Sequence, residues 1–209
     1  YSAAPTLGAL LATLGAVWAI GTPPSQPSPA GVVLNPVIDA SLEIASRPEF
    51  NARAVKSITL KGHSLLRQRT DRSDVATGRE SQVSAQHAIA IAFQRQKAGL
   101  DEFSDAAVAE TLAMGRPQIN FVDDDSYHIE AVDMTVEFLN DATIHARVDA
   151  ARGGASNPLT DADIEVKVKT LAERAGFTKD IDRLIEAVWM IDTLEDAGTI
   201  ASLASVGEK

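Results

Sequence analysis

Proton transfer near neutral pH needs a group that titrates there, and histidine is the side chain whose ordinary pKa lies in that range. The chain has four histidines and no cysteine. His87 has the most suggestive setting. It follows Ser84 and Gln86 at the start of the run SAQHAIAIAFQRQK (Ser84 to Lys97), which is helical and apolar in composition. An imidazole near the start of such a helix is placed to give or take a proton, with a hydroxyl and an amide beside it. The competing reading is a histidine that only caps or packs. His63 falls where a strand gives way to a loop and reads as structural. His145 alternates onto the wet face of a strand, and His128 precedes a strand without an evident partner.

Other chemistry-bearing patterns are weaker. Asp123, Asp124 and Asp125 are consecutive carboxylates, which point in different directions, and no Gly or Glu follows at calcium-loop spacing. They read as a solvated turn. Gly153-Gly154 lacks a phosphate-cradling continuation and reads as a turn before Asn157-Pro158. Zinc spacing, a Ser-His-Asp order and a nucleotide loop are missing, so neither metal nor cofactor is expected. Trp18 and Trp189 lie on apolar stripes and are expected in a core.

The elements that must position these groups can be read from periodicity. Leu7 to Ile20 (LGALLATLGAVWAI) is an apolar segment, too short at about 14 residues to span a bilayer and without a signal peptide's flanks. A buried helix is expected there. Prolines 23, 24, 27 and 29 then exclude helix. Asn35-Pro36 opens a helix, with Asn35 as its N-cap and Val37, Ile38, Leu42 and Ala45 facing a core. Ala54 to Leu60 reads as a strand, and Gly62 to Thr77 as polar loop. Ser104-Asp105 caps a helix to about Met114. Three strands follow, Gln118–Val122, Ala131–Leu139 and Ala142–Ala150, the last two alternating apolar and polar around a turn at Asn140-Asp141. Helices begin again at Thr160-Asp161 and Lys179. The order predicts an α+β fold: an antiparallel sheet with helices on one face, flanked by terminal helices. The expected division is an apolar helix and Pro-rich linker (1–25), an α+β domain (26–155) and C-terminal helices (156–209).

With 209 residues and a formal charge of -10, the chain is long enough for a sizeable core and repels phosphate backbones and anionic lipid. Nucleic-acid and membrane partners are not expected. The absence of cysteine fits a reducing compartment, and a cytoplasmic location is expected.

Four stretches, in order, resemble the MmgE/PrpD family, which includes 2-methylcitrate dehydratase, cis-aconitate decarboxylase and iminodisuccinate epimerase. They are PSPAGVVLNPVIDASLEI (Pro27 to Ile44), TGRESQVSAQHAIAIAF (Thr77 to Phe93), ARGGASNPLTDADIEVKV (Ala151 to Val168) and LIEAVWMIDTLED (Leu184 to Asp196). The first is similar to the family's Lys-Pro-Tyr-Pro-Cys-Gly…His-Pro…Ile-Asp-Ala segment, and the second to its Thr-Gly…Lys-Phe-Ser…Gln-His helix start. The resemblance implies the lid and final helices of a carbon–oxygen lyase or isomerase acting beside a carboxylate of a small acid. The large helical domain of the family has no counterpart, so a separate helical domain or subunit, or a homodimer, is expected to cover the apolar helices. It also implies substrate-facing positions at Gln26, Asn35, Gln82 and Ser84, with His87 the catalytic candidate. At Gln26 and Gln82 the family's lysines are replaced, and at Asn35 its histidine; Ser84 is kept. An amide neither neutralises a carboxylate nor transfers a proton near neutrality. A non-catalytic binding or structural protein is therefore the alternative expectation.

Overall fold

Strand β1 (Val55–Gly62) turns Ile58 and Leu60 inward, and β3 (Val132–Phe138) turns Val132, Met134, Val136 and Phe138 to the same side. This is what period-two alternation requires when one sheet face is buried. In this computed structural model, which describes residue 16, residues 25–177 and residues 179–205, these strands lie in a four-stranded sheet. Its order is β2-β1-β3-β4, with β2 spanning Ile119–Asp123 and β4 spanning Thr143–Val148. β3 pairs antiparallel with β1 and β4, while β2 runs parallel to β1 with Leu60 opposite Phe121. The fold is α+β as expected, with one refinement: the sheet is mixed. A parallel neighbour needs a long crossover. Here the chain passes through four helices between Gly62 and Ile119 before it pairs again.

Those helices are α2 (Ser64–Thr70), α3 (Gly78–Ser81), α4 (Ala85–Arg95) and α5 (Asp105–Met114). With α1 (Asn35–Ala45), α4 supplies most of the helical side of the core. Leu34, Val37, Ile44, Ile58, Leu60, Ile89 and Met134 are all fully buried. Each such side chain contributes about 1.5–3 kcal/mol relative to exposure. The opposite sheet face is polar: Lys61, Asp133 and Arg147 line up across β1, β3 and β4, as do Thr59, Thr135 and His145.

Three local expectations are corrected. Asn35 does not cap α1, because a short 3₁₀ turn (Val32–Leu34) precedes it and moves the cap to Leu34. The expected loop after Gly62 contains α2, whose first turn is capped by His63, with Nδ1 accepting from the Leu65 N–H at 3.1 Å. Trp189 is 48% exposed rather than core. Apart from Ala16, the segment Leu7–Ile20, including Trp18, lies outside the described residues.

The chain separates into two compact units, Tyr1–Pro158 and Leu159–Lys209. The second holds α6 (Asp161–Arg174), α7 (Ile181–Trp189) and α8 (Gly198–Ala204). Thr160 opens α6 with a capping box to Asp163, and Asp180 caps α7. Ala187 is the one buried residue described in these three helices. Ile164, Val168, Leu184, Ile185, Val188 and Trp189 instead border an apolar groove of about 310 Å³. Among the described residues, no helix is long and apolar enough to cross a membrane.

Candidate functional site

The Pro-rich segment is fixed at both ends. At its start, the Ser25 N–H donates to the Gly153 carbonyl at 2.8 Å. Gly153 has φ of +88°, and a Cβ there would lie 1.9 Å from the Ser25 carbonyl oxygen. Only glycine permits both the conformation and the approach. Gln26 follows on the surface. At the other end, the Gly31 N–H donates to the Gln82 carbonyl at 2.8 Å, which joins this segment to the α3–α4 corner. Gln82 is half-buried and Val83 exposed beside it. Asn35 is buried, and its Oδ1 accepts from the Ser28 hydroxyl at 3.1 Å.

The corner itself turns on Ser84. Its Oγ accepts from the His87 N–H at 3.1 Å as the N-cap of α4, and donates to the Arg72 carbonyl at 2.6 Å. The Gln86 amide continues the tie, donating to Asp71 at 2.7 Å and accepting from the Arg72 N–H at 3.1 Å. Ser84 and Gln86 thereby hold the 71–72 chain against the start of α4.

His87 points inward and is 0% exposed. Its Nε2 lies 2.8 Å from the Glu102 carbonyl oxygen, which can only accept, so Nε2 carries the proton. Nδ1 lies 3.0 Å from the Thr111 hydroxyl, and the Phe103 ring stands edge-on at 5.5 Å. Burial is the main force lowering the His87 pKa below its ordinary 6.5, and the charges of Arg116 and Arg95 add to it. The Glu102 bond works in the opposite direction. A neutral ring is the result. The single Thr111 hydroxyl proton is then shared between Nδ1 and the Val108 carbonyl, each 3.0 Å from the hydroxyl oxygen, which also lies 3.4 Å from Arg116 Nε. In this arrangement His87 joins α4 to the turn before α5 and to α5 itself, and the ring has no surface open to a ligand.

The three neighbouring aspartates have separate partners. Asp123 pairs with Arg67, Asp124 with Lys61 and Ser126, and Asp125 accepts from the Ser64 N–H. Hydrogen bonds from Ser126 and Lys61 bring the Asp124 pKa down to about 2. Among the described residues, no cluster of three potential metal ligands occurs. His145 stays on the open sheet face, 3.4 Å from Asp133, and His128 is exposed.

The sequence-selected positions thus meet in two groups. Gly31 carries Asn35's segment to Gln82, whereas Ser84 and His87 lie inside the domain. Gln26 stands apart at the far end of the Pro-rich stretch. The family model described as the MmgE/PrpD C-terminal domain matches residues 28–193. The chain belongs to the MmgE/PrpD family. The match takes in the Pro-rich segment from Ser28, the α3–α4 corner, the Gly153 loop and all of α6 and α7. Gln26 lies two residues outside it. Comparison with curated proteins gives no match.

Within this MmgE/PrpD domain, Glu102, Thr111 and Arg116 were not apparent from sequence as partners of the site. They lie 15 to 29 residues beyond His87, and only the packing of α5 on α4 brings them to it. The Gly115-Arg116-Pro117 break after α5 marks a turn in the sequence, but not what its arginine meets.

Proposed function

We propose that this chain supplies the C-terminal lid part of a lyase or isomerase that acts beside a carboxylate of a small acid, and that it works only against a helical body. The MmgE/PrpD C-terminal match over residues 28–193 carries this reading. Two observations support the need for a further body. The apolar groove of α6–α8 leaves Val188 and Trp189 about half exposed. The family-matched positions Gln26, at the start of the Pro-rich segment, and Gln82, at the corner that meets its other end, carry amides, which can orient a carboxylate by hydrogen bonding but supply no charge or proton. The acid–base groups would then come from the helical body, in a cytoplasmic enzyme without a cofactor.

The test is turnover of a panel of small di- and tricarboxylic acids by the chain alone and after co-expression with the helical N-terminal portion of an MmgE/PrpD protein. No turnover is expected alone, and measurable turnover in the pair. Turnover by the purified chain alone would overturn the reading. A second reading, a binding protein without chemistry, draws on the amides at the three substituted positions and on the enclosure of His87. It expects association with the helical portion and no turnover in either arm. His87→Ala in the pair separates direct catalysis from a role in packing: a catalytic imidazole predicts loss of kcat with an unchanged melting temperature.

A further inference from the structure

A cleft of about 690 Å³ opens between the start of β1 and the C-terminal ends of α4 and α5. It shares no lining residue with the Gly31–Gln82 contact. Arg53, Lys56, Gln94, Thr111, Arg116 and Gln118 give it its polar character, and its lining contains no carboxylate. In a protein with a formal charge of -10, a wall with three cations and no acid is a local reversal of sign.

The three cations are not equivalent. Lys56 is paired with Glu137 at 2.7 Å and Asp141 at 3.0 Å, so its charge is already met. Arg116 is held by neutral acceptors: the Ser73 carbonyl at 2.5 Å, the Val75 carbonyl at 3.2 Å and the Thr111 hydroxyl at 3.4 Å. A guanidinium has five N–H donors. Three are used to fix its plane, two are left, and no described carboxylate forms an ion pair with it. Asp74 acts on it only at a distance. The Arg53 side chain is exposed and makes neither a hydrogen bond nor an ion pair with a described residue; its only hydrogen bond of note is from its backbone N–H to Asn51. The nearby Glu110 carboxylate is taken up by Gln94 and Arg95.

A partly buried guanidinium oriented by carbonyls, lining the same open cleft as a second guanidinium that has no described ion pair, is prepared for an anion with several oxygens. We infer that this cleft is a binding site for a small multivalent oxyanion, held between Arg53 and Arg116. Phosphate and small dicarboxylates share the chemistry that these groups recognise. The site is independent of the turnover reading above, and it can stand or fall without it.

The full chain is titrated with inorganic phosphate and, separately, with malonate at low ionic strength, followed by amide NMR and calorimetry. Saturable shifts of the Gly115 and Gln118 amides are expected with at least one of the two, weakening as sodium chloride is added. Saturation by phosphate alone identifies a phosphate-type ligand, and by malonate alone a carboxylate. Arg53→Gln, at an exposed position, should weaken binding about tenfold through loss of one charge-assisted contact. Arg116→Gln should weaken it at least as much, with a thermal melt to report its folding. If Arg116→Gln does not fold, Arg53→Gln decides. Absence of saturable shifts with both anions, or Arg53→Gln binding as tightly as the parent, overturns the inference.

Discussion

His87 shows how one side chain can look catalytic in sequence and be structural in its contacts. Both ring nitrogens are engaged, and removing the ring takes away the Glu102 carbonyl's partner, whereas the Thr111 hydroxyl keeps the Val108 carbonyl and Arg116. His87→Ala should therefore cost about 2–4 kcal/mol, combining a cavity with the lost partner of the buried Glu102 carbonyl, and urea midpoints would measure it. The pH dependence has a definite sign. Because the folded ring binds a proton less readily than a free imidazole, its contribution is fully present above pH 6.5. It is lost as the pH falls below that value toward the lowered folded pKa. Urea stability should thus decline from pH 7 to pH 5 in the parent and decline less in His87→Ala. An equal slope in both would remove His87 as the source. Gly78 makes a second prediction of this kind. A Cβ at that position would lie 2.4 Å from the Phe103 carbonyl oxygen and 2.9 Å from Ser104 backbone atoms. Neither neighbour is a flexible side-chain end, so Gly78→Ala should lose about 1–3 kcal/mol, read as a lower thermal midpoint with unchanged far-UV dichroism.

Among the helices and strands, legibility followed how local the determining interaction was. Helices α4, α5 and α6 could be read because Ser84, Ser104 and Thr160 cap them in the usual way and strong helix formers follow. Strands β3 and β4 could be read from alternation, and their turn from Asn140-Asp141, where Asp141 takes φ of +62°. Helix α2 escaped notice because it is only seven residues long and its cap is a histidine, a residue type that does not announce a helix start. The parallel placement of β2 is likewise set by packing across four intervening helices, which no window of sequence contains. The candidate site divides along the same line. The cap geometry at Ser84 was local and visible, whereas the closure of His87 by Glu102 and Thr111 depends on α5 lying beside α4. The expectation of Trp189 in a core failed for a related reason. Its periodicity correctly placed it on an apolar stripe, but a stripe identifies the face to be covered and not its cover.

That difference separates the two units energetically. Helix α4 buries eight of its 11 residues, and β3 alternates between fully buried and half-buried positions. Helices α6 and α8 have no buried residue among those described, and α7 has Ala187 alone. Their caps and ion pairs, such as Lys169–Asp182 at 2.6 Å, are exposed to water and salt and add little. The missing contribution is apolar: Leu184 and Ile185 are half-buried and Val188 and Trp189 about half exposed, so covering what remains would add about 1 kcal/mol per side chain, a part of the full-burial value. Opening of α6–α8 should therefore cost much less than global unfolding. Hydrogen exchange on the full chain is expected to show amides of α6–α8 exchanging orders of magnitude faster than those of α4, β1 and β3. Binding of the helical portion of an MmgE/PrpD protein should slow exchange selectively in α7, because that helix contributes Leu184, Ile185, Val188 and Trp189 to the groove. Equal protection of α6–α8 and the sheet in the chain alone would mean that the stripe already has its cover, and would remove the main physical reason for a helical body.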